Sequence, residues 1–286
     1  MMQYVDLDNN VHITAKQLNI GNNVRFGKDV KINVRGTFEI GDNSIIGDRF
    51  TANAEELIIG EYFYNGPTDS RGMVIGGGGA NFPYAKLKIG DRVVCHTGHI
   101  NLASPVTIGN DVGLSHDVDL ITHGFWYSIL EGYPRVFKEI NIGNNVIVGW
   151  KTVIMSGVDI ADNTVIGSHS TVIKSLTTPK GIYAGSPAKL IKTITDPTLE
   201  DKCIMLNGLV ADFNDLMSYY DVPEYIISPD YPKLIINKLE INLIDFSYRG
   251  EHDIVTDAFR DFARRYGIRI YVPHGFKFNL VRKWNF

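Results

Sequence analysis

Between residues 140 and 174 the chain reads INIGNNVIVGWKTVIMSGVDIADNTVIGSHSTVIK, and an aliphatic side chain returns at every sixth place: Ile142, Val148, Ile154, Ile160, Ile166 and Val172. A period of six does not hold one face of a 3.6-residue helix, and the glycine and β-branched content also opposes a helix. In an extended chain, residues four apart face the same side, so the first and fifth residues of each six point inward together. The Gly-Asn-Asn, Gly-Asn-Asp and Ala-Asp-Asn groups between them are turn formers that tolerate unusual backbone angles. Each six is therefore a short strand and a corner. Strands that turn a corner every six residues must coil, and stacked coils make a parallel solenoid filled by aliphatic columns. The expected fold class is mainly β.

Earlier sixes are less even: Ile20, Phe26 and Ile32, then Ile40 and Ile46, then Ile89, Cys95 and Asn101, then Ile108, Leu114 and Leu120. The offsets mark insertions. The largest is expected over roughly residues 60 to 88 and contains VIGGGGANFPY, read as a flexible loop because no Lys-Ser/Thr pair or strand-to-helix context supports a phosphate loop. A second interruption, from Ile121 to Asn141, carries one histidine, His123. Insertions at a solenoid corner project into solvent while the coils above and below still stack, so such a loop is where function can be added.

After IKTITDPT the step ends. LEDKCIMLNGLVADFNDLMSYY reads as an amphipathic helix, KLEINLIDF as a strand with Leu239, Ile241 and Leu243 on one face, and EHDIVTDAFRDFARRYG as a second helix, followed by strands IRIYV and KFNLV. The division expected is a solenoid over residues 1–196 and a small α/β appendage over 197–286.

Two cysteines, Cys95 and Cys203, are too few for a disulfide framework or a thiolate metal cluster. A net charge of -4 gives no electrostatic case for nucleic acid. No apolar run reaches membrane-spanning length, and MMQYVDLDNN lacks the basic start and apolar stretch of a secretory signal, so a cytoplasmic protein is expected.

From residue 20 to 195 the chain resembles the hexapeptide-repeat acyltransferases, which include galactoside and maltose O-acetyltransferases and capsule sialic acid O-acetyltransferases. The resemblance rests on PVTIGNDVGLSHDVDLITH, INIGNNVIVGW and GIYAGSPAKLIK, in that order. It implies a left-handed parallel β-helix, against the usual right-handed crossover rule, and a homotrimer with active sites between subunits. It also implies acetyl-CoA as co-substrate, no metal, and a carbohydrate acceptor.

In that family the corresponding loop histidine is the general base, and His123 matches it. An imidazole titrating near neutrality can take the proton of a sugar hydroxyl as it attacks a thioester. Trp150 stands where capsule sialic acid O-acetyltransferases place a tryptophan near the thioester, which gives it a catalytic and an acetyl-CoA role; packing at a subunit contact is the other reading. Ser168, Ile173 and Lys174 match further coenzyme contacts, with isoleucine in place of the family's threonine. Lys189 and Lys192 match basic residues near the adenosine phosphates, where lysine acts as a point charge. Asn101, His116, Trp126 and Tyr127 are expected at the acceptor. Phe125, Trp126, Tyr127 and Tyr133 could stack on sugar rings or pack the loop on a neighbour. His96, His99 and His169 receive structural roles.

No G-x-S-x-G elbow is present and neither cysteine lies in the interrupting loop, so direct transfer fits better than a covalent intermediate. The competing readings are N-acetyl transfer to a nucleotide-linked amino sugar, a carbonic-anhydrase-type metal lyase using His96, His99, His116 and His123, and a non-catalytic scaffold.

Overall fold

The computed structural model describes residues 1–66, 72–77, 83–124, 127–222 and 224–272. The chain forms two compact units, Met1–Thr195 and Asp196–Phe286, and each is described by itself.

The first unit is a three-sided parallel β-helix. Its first face runs from Val11–Ala15 through Lys31–Val34, Thr51–Ala54, Met73–Gly76, Gly98–Asn101, Val118–Ile121 and Val153–Met155 to Thr171–Val172. The second face begins at Gln17–Ile20 and the third at Arg25–Phe26, and the chain visits the three in rotation. Met2–Asp6 folds back antiparallel onto Val11–Ala15 and covers that end of the first face.

The interior columns follow the sixes. Ile142 pairs in register with Ile160, Val148 with Ile166, and Ile154 with Val172, and all six side chains are buried. The corner between the second and third faces is closed by a ladder of acids and amides. Asp42, Asp91, Asn110, Asn144 and Asp162 each accept, through a side-chain oxygen, a backbone N–H from the preceding coil at 2.6–2.9 Å. The next residue at these corners is left-handed, as at Asn43, Arg92, Asp111, Asn145 and Asn163, which asparagine and aspartate tolerate best among residues with a Cβ.

Three expectations are corrected. Asn101 does not belong to the aliphatic column. The corner from Cys95 to Gly98 is one residue shorter than that from Leu114 to Val118, so Ile100 aligns with Leu120 and Asn101 moves to the next corner. Gly98 makes the short corner possible: its φ is +144° and a Cβ there would collide with the Val118 carbonyl oxygen. The expected insertion over 60 to 88 contains rungs of the solenoid, Tyr64–Asn65 on the third face and Met73–Gly76 on the first. The start of VIGGGG is thus a paired strand, and Gly78 and Gly79 lie outside the described residues.

In the second unit, α1 (Leu199–Tyr219) and α2 (Ile254–Ala263) each begin with a capping box, from Thr198 with Asp201 and from Asp253 with Thr256. They pack with a four-stranded antiparallel meander, Ile227–Asp230, Lys233–Ile236, Leu239–Asn242 and Tyr248–Gly250. Leu234, Ile236, Leu239 and Ile241 meet Phe213 and Phe259 in the core. The segment IRIYV is a correction too. It buries Ile270 and Val272 but forms no strand with the described residues; its Ile270 carbonyl accepts from Arg260, which also pairs with buried Asp257 at 2.6 Å. KFNLV lies outside the described residues. Among the described residues no helix is long and apolar enough to cross a membrane.

Candidate active site

The interrupting loop leaves the solenoid at the corner between the first and second faces. Thr122 is still part of the wall, fully buried, and the next residues form a small hairpin in which His123–Gly124 pairs antiparallel with Val136–Phe137. Ser128 caps the turn Ile129–Glu131, and Gly132 ends it in the left-handed conformation. Tyr127 and Tyr133 face each other at 4.7 Å near the exposed tip. Phe125 and Trp126 lie outside the described residues, so the acceptor role expected of Trp126 has no geometry to weigh.

His123 is half-buried. Its Nδ1 lies 2.8 Å from the side-chain oxygen of Asn101, which is 3% exposed. Its ring stands 5.9 Å from that of Phe137, and the Arg135 guanidinium lies 4.3 Å from the Phe137 ring centroid. Phe137, Arg135, Lys138 and Ser104 line a cavity of about 630 Å³ beside the loop. That volume is within the range of small-molecule sites, and an aromatic wall with a few polar groups is the usual lining. Asn101, expected to meet an acceptor, is thus placed against the histidine. Ile173, half-exposed, and Lys174, exposed, stand along this same corner on a later coil.

The remaining expected residues lie on the opposite edge of the first face, at the corner with the third. His116, Trp150 and Ser168 follow one another there on successive coils. Trp150 is 47% exposed, and its indole N–H donates to Asp117 at 3.3 Å. Its ring meets His169 at 5.8 Å and the Lys151 ammonium at 4.8 Å. The turn of AGSPAKLIK packs over the end of this corner, where the Ala188 N–H donates to the Thr171 carbonyl. Lys189 and Lys192 follow on an exposed strand that returns antiparallel to Gly181–Ala184. The four strand residues Val118–Ile121 lie between Asp117 and Thr122, a span of roughly 16 Å at the strand rise. One chain therefore does not bring His123 and Trp150 together.

Asp117 was missed by sequence reasoning, although it lies one coil before Trp150. It also accepts from Thr97 at 3.0 Å. His96 and His116 stack at 4.4 Å, with the Tyr64 ring edge-on to His96 at 6.4 Å. His99 pairs in register between Val74 and Asp119. Among the described residues no three His, Cys, Asp or Glu side chains converge as a metal site would need. Burial pushes the Cys95 thiol up to about 12, so it acts as a small apolar side chain facing the core.

No protein-family model matches the chain, and no curated protein matches it. Solved structures similar to it include hexapeptide-repeat and sugar acetyltransferases and an N-acyltransferase. One is VCA0836 from Vibrio cholerae, at 24% identity and a TM-score of 0.36, covering 38% of this chain and 64% of that one. This chain thus spans just under two thirds of that protein. The polySia-specific acetyltransferase NeuO matches at 22% identity and a TM-score of 0.44, over 70% of this chain and 98% of its own. Galactoside acetyltransferase in complex with coenzyme A matches at 23% identity and a TM-score of 0.33, over 64% and 66% of the two chains. What those proteins acetylate is a property of each of them.

Burial, and then repulsion from His116, hold His96 below the usual imidazole range. The folded chain therefore favours neutral His96, and the unfolded chain takes up a proton first as pH falls. The stability contributed is complete above the unfolded value of about 6.5 and is lost toward the lower folded value. The melting temperature should fall between pH 7 and pH 5, and His96→Phe, which keeps a stacking ring without a titrating group, should reduce that fall. An identical pH dependence in the variant would remove His96 as its source.

Proposed function

We propose that the protein is an acetyl-CoA-dependent acetyltransferase that moves an acetyl group directly to a hydroxyl of a carbohydrate, with His123 as general base. The observation that carries the reading is the placement of His123: a histidine held by a buried amide, on a hairpin inserted into the wall of the solenoid, whose pairing partner Phe137 lines a cavity of about 630 Å³. A hydroxyl is a poor nucleophile until its proton is removed. In the proposed step the imidazole takes that proton as the oxygen attacks the thioester carbonyl. A tetrahedral intermediate forms, its carbon–sulfur bond breaks, and the imidazolium returns the proton to the departing sulfur. No metal is used. Phe137 offers a face for a sugar ring, and Arg135 and Lys138 offer donors to its hydroxyls.

The acetyl donor is assigned to the later coils. Lys189 and Lys192 are exposed cations on the terminal strand, suited to phosphate groups. Because His123 lies at one edge of the first face and Trp150 with the AGSPAK turn at the other, the complete site is proposed to form between copies of the chain. In a closed ring of three, each interface is heterologous, so one edge of a face meets the opposite edge in the next copy. Trp150 would then supply its ring to the donor side of a neighbour's His123.

Three outcomes are expected. His123→Ala should lower turnover by roughly two to four orders of magnitude, the usual contribution of a positioned base, with acetyl-CoA affinity little changed. A folded variant acetylating at nearly the original rate would instead point to an amine acceptor that needs no base. Lys189→Ala and Lys192→Ala should raise the KM for acetyl-CoA while leaving kcat near its original value, since phosphate contacts remote from the thioester serve ground and transition states alike. Equal losses with a coenzyme lacking the 3′-phosphate would contradict that assignment. Sedimentation equilibrium should give the mass of three chains, and a stable active monomer would overturn the shared site.

A further inference from the structure

We infer that Asn101 is a positioning residue that fixes the proton of His123 on Nδ1 and so makes Nε2 the basic nitrogen. The inference rests on the reading of His123 as the base. Its own argument is one of hydrogen-bond polarity. The Asn101 side-chain oxygen receives the backbone N–H of Ala103 at 3.1 Å, and a backbone N–H can only donate. The atom at that position is therefore the oxygen. The hydroxyl of Thr122 lies 2.8 Å from the same oxygen and 3.0 Å from the Asn101 carbonyl, while accepting the Ser104 N–H at 3.0 Å. With the oxygen fixed as an acceptor, the ring nitrogen 2.8 Å from it must carry the proton. A neutral imidazole has one N–H, so the proton-accepting site is Nε2.

The network is well suited to hold its orientation. Asn101 is 3% exposed and Thr122 fully buried. Rotating the amide by half a turn would set its NH₂ against the Ala103 N–H, which two donors do not tolerate in a buried site. The backbone at Gly77 closes over the other side. A Cβ there would stand 2.6 Å from Asn101 Nδ2, and the residue's φ of +92° also suits glycine. A neutral amide partner differs from a carboxylate in that it orients the ring without placing a negative charge against it.

The test needs acceptor kinetics and one measurement that does not depend on activity. Asn101→Ala should lower kcat by about 100-fold through loss of ring orientation, with the acceptor KM within about twofold of its original value. Asn101→Asp places a carboxylate against Nδ1–H, which favours the charged ring, so the acid limb of the kcat/KM profile should move to higher pH by about one unit or more. A raised acceptor KM at unchanged kcat, or an Asp variant with an unmoved acid limb, would overturn the inference and return Asn101 to acceptor binding. Nitrogen-15 NMR of the imidazole in the unaltered chain reads the tautomer directly. Above the ring's pKa, Nδ1 should show the protonated-type shift and Nε2 the unprotonated type; the reverse pattern would overturn the inference even where both variants fail to fold. The NMR result stands apart from acetyl transfer, so the tautomer can hold while the proposed reaction fails, and the reverse.

Discussion

Every coil of the solenoid depends on the next one for its backbone hydrogen bonds. The Gly41 N–H finds the Ile59 carbonyl, Gly60 finds Ile89, Gly90 finds Ile108, Gly109 finds Ile142 and Gly143 finds Ile160. A buried amide without a partner is costly, so the coils must advance in lockstep at their corners even where the faces between differ. The ladder of Asp42, Asp91, Asn110, Asn144 and Asp162 enforces this at one corner by taking the amides that the turn would otherwise leave bare. That corner tolerates no insertion among the coils it links. Among the described residues the corner between the first and second faces has no such ladder, and it is there that the chain departs to build the His123 hairpin and returns at Ile140. Stability and chemistry are thus assigned to different edges of the same prism.

The same dependence explains how a residue far from the loop comes to hold the histidine. Asn101 and His123 are 22 residues apart but sit on adjacent coils. Had the corner after Cys95 kept full length, Asn101 would pair with Leu120 and face the aliphatic interior. The shortened corner, possible because Gly98 has no Cβ, delivers the amide to the edge instead. A slip of one residue changes which side every following residue faces, and here a slip confined to one strand converts a core position into a contact with His123.

How much was legible follows from where such slips occur. From Ile142 to Val172 the step has no irregularity, and the columns read from spacing are the columns observed. His123 was legible because it stands in the break. Its contact with Asn101 was not, since a count in sixes passes over a corner of unusual length and put Asn101 in the core. The rungs at Tyr64–Asn65 and Met73–Gly76 were hidden by the residues between them, and Asn65 occupies an interior column where an aliphatic side chain is expected. Its amide is satisfied by the Cys95 and His96 carbonyls and the Gly47 N–H. In the second unit the two helices were legible from their apolar spacing, and their capping boxes were not read. The meander was read only at Leu239–Asn242; Ile227–Asp230 and Tyr248–Gly250 are short edge segments, and the central strand Lys233–Ile236, whose Leu234 and Ile236 alternate inward, was overlooked.

The indole of Trp150 shows what spacing cannot supply. An exposed tryptophan at a corner has an N–H to offer, and its use depends on the neighbour one coil away. Here the neighbour is Asp117, whose left-handed backbone turns its carboxylate along the edge, and the same carboxylate is tied to Thr97 on the coil before. The indole N–H is therefore engaged within its own chain, and what Trp150 presents outward is a ring flanked by His169 and Lys151. That favours a role in shaping and drying a donor site over one of donating a hydrogen bond to the thioester. It also leaves stabilisation of the tetrahedral oxyanion to groups on another surface. A site completed by a second copy, with the base edge of one chain against the tryptophan edge of the next, would bring such groups within reach. Assembly would then be part of the proposed chemistry, because folding of one chain alone leaves His123 and Trp150 at opposite edges of a face.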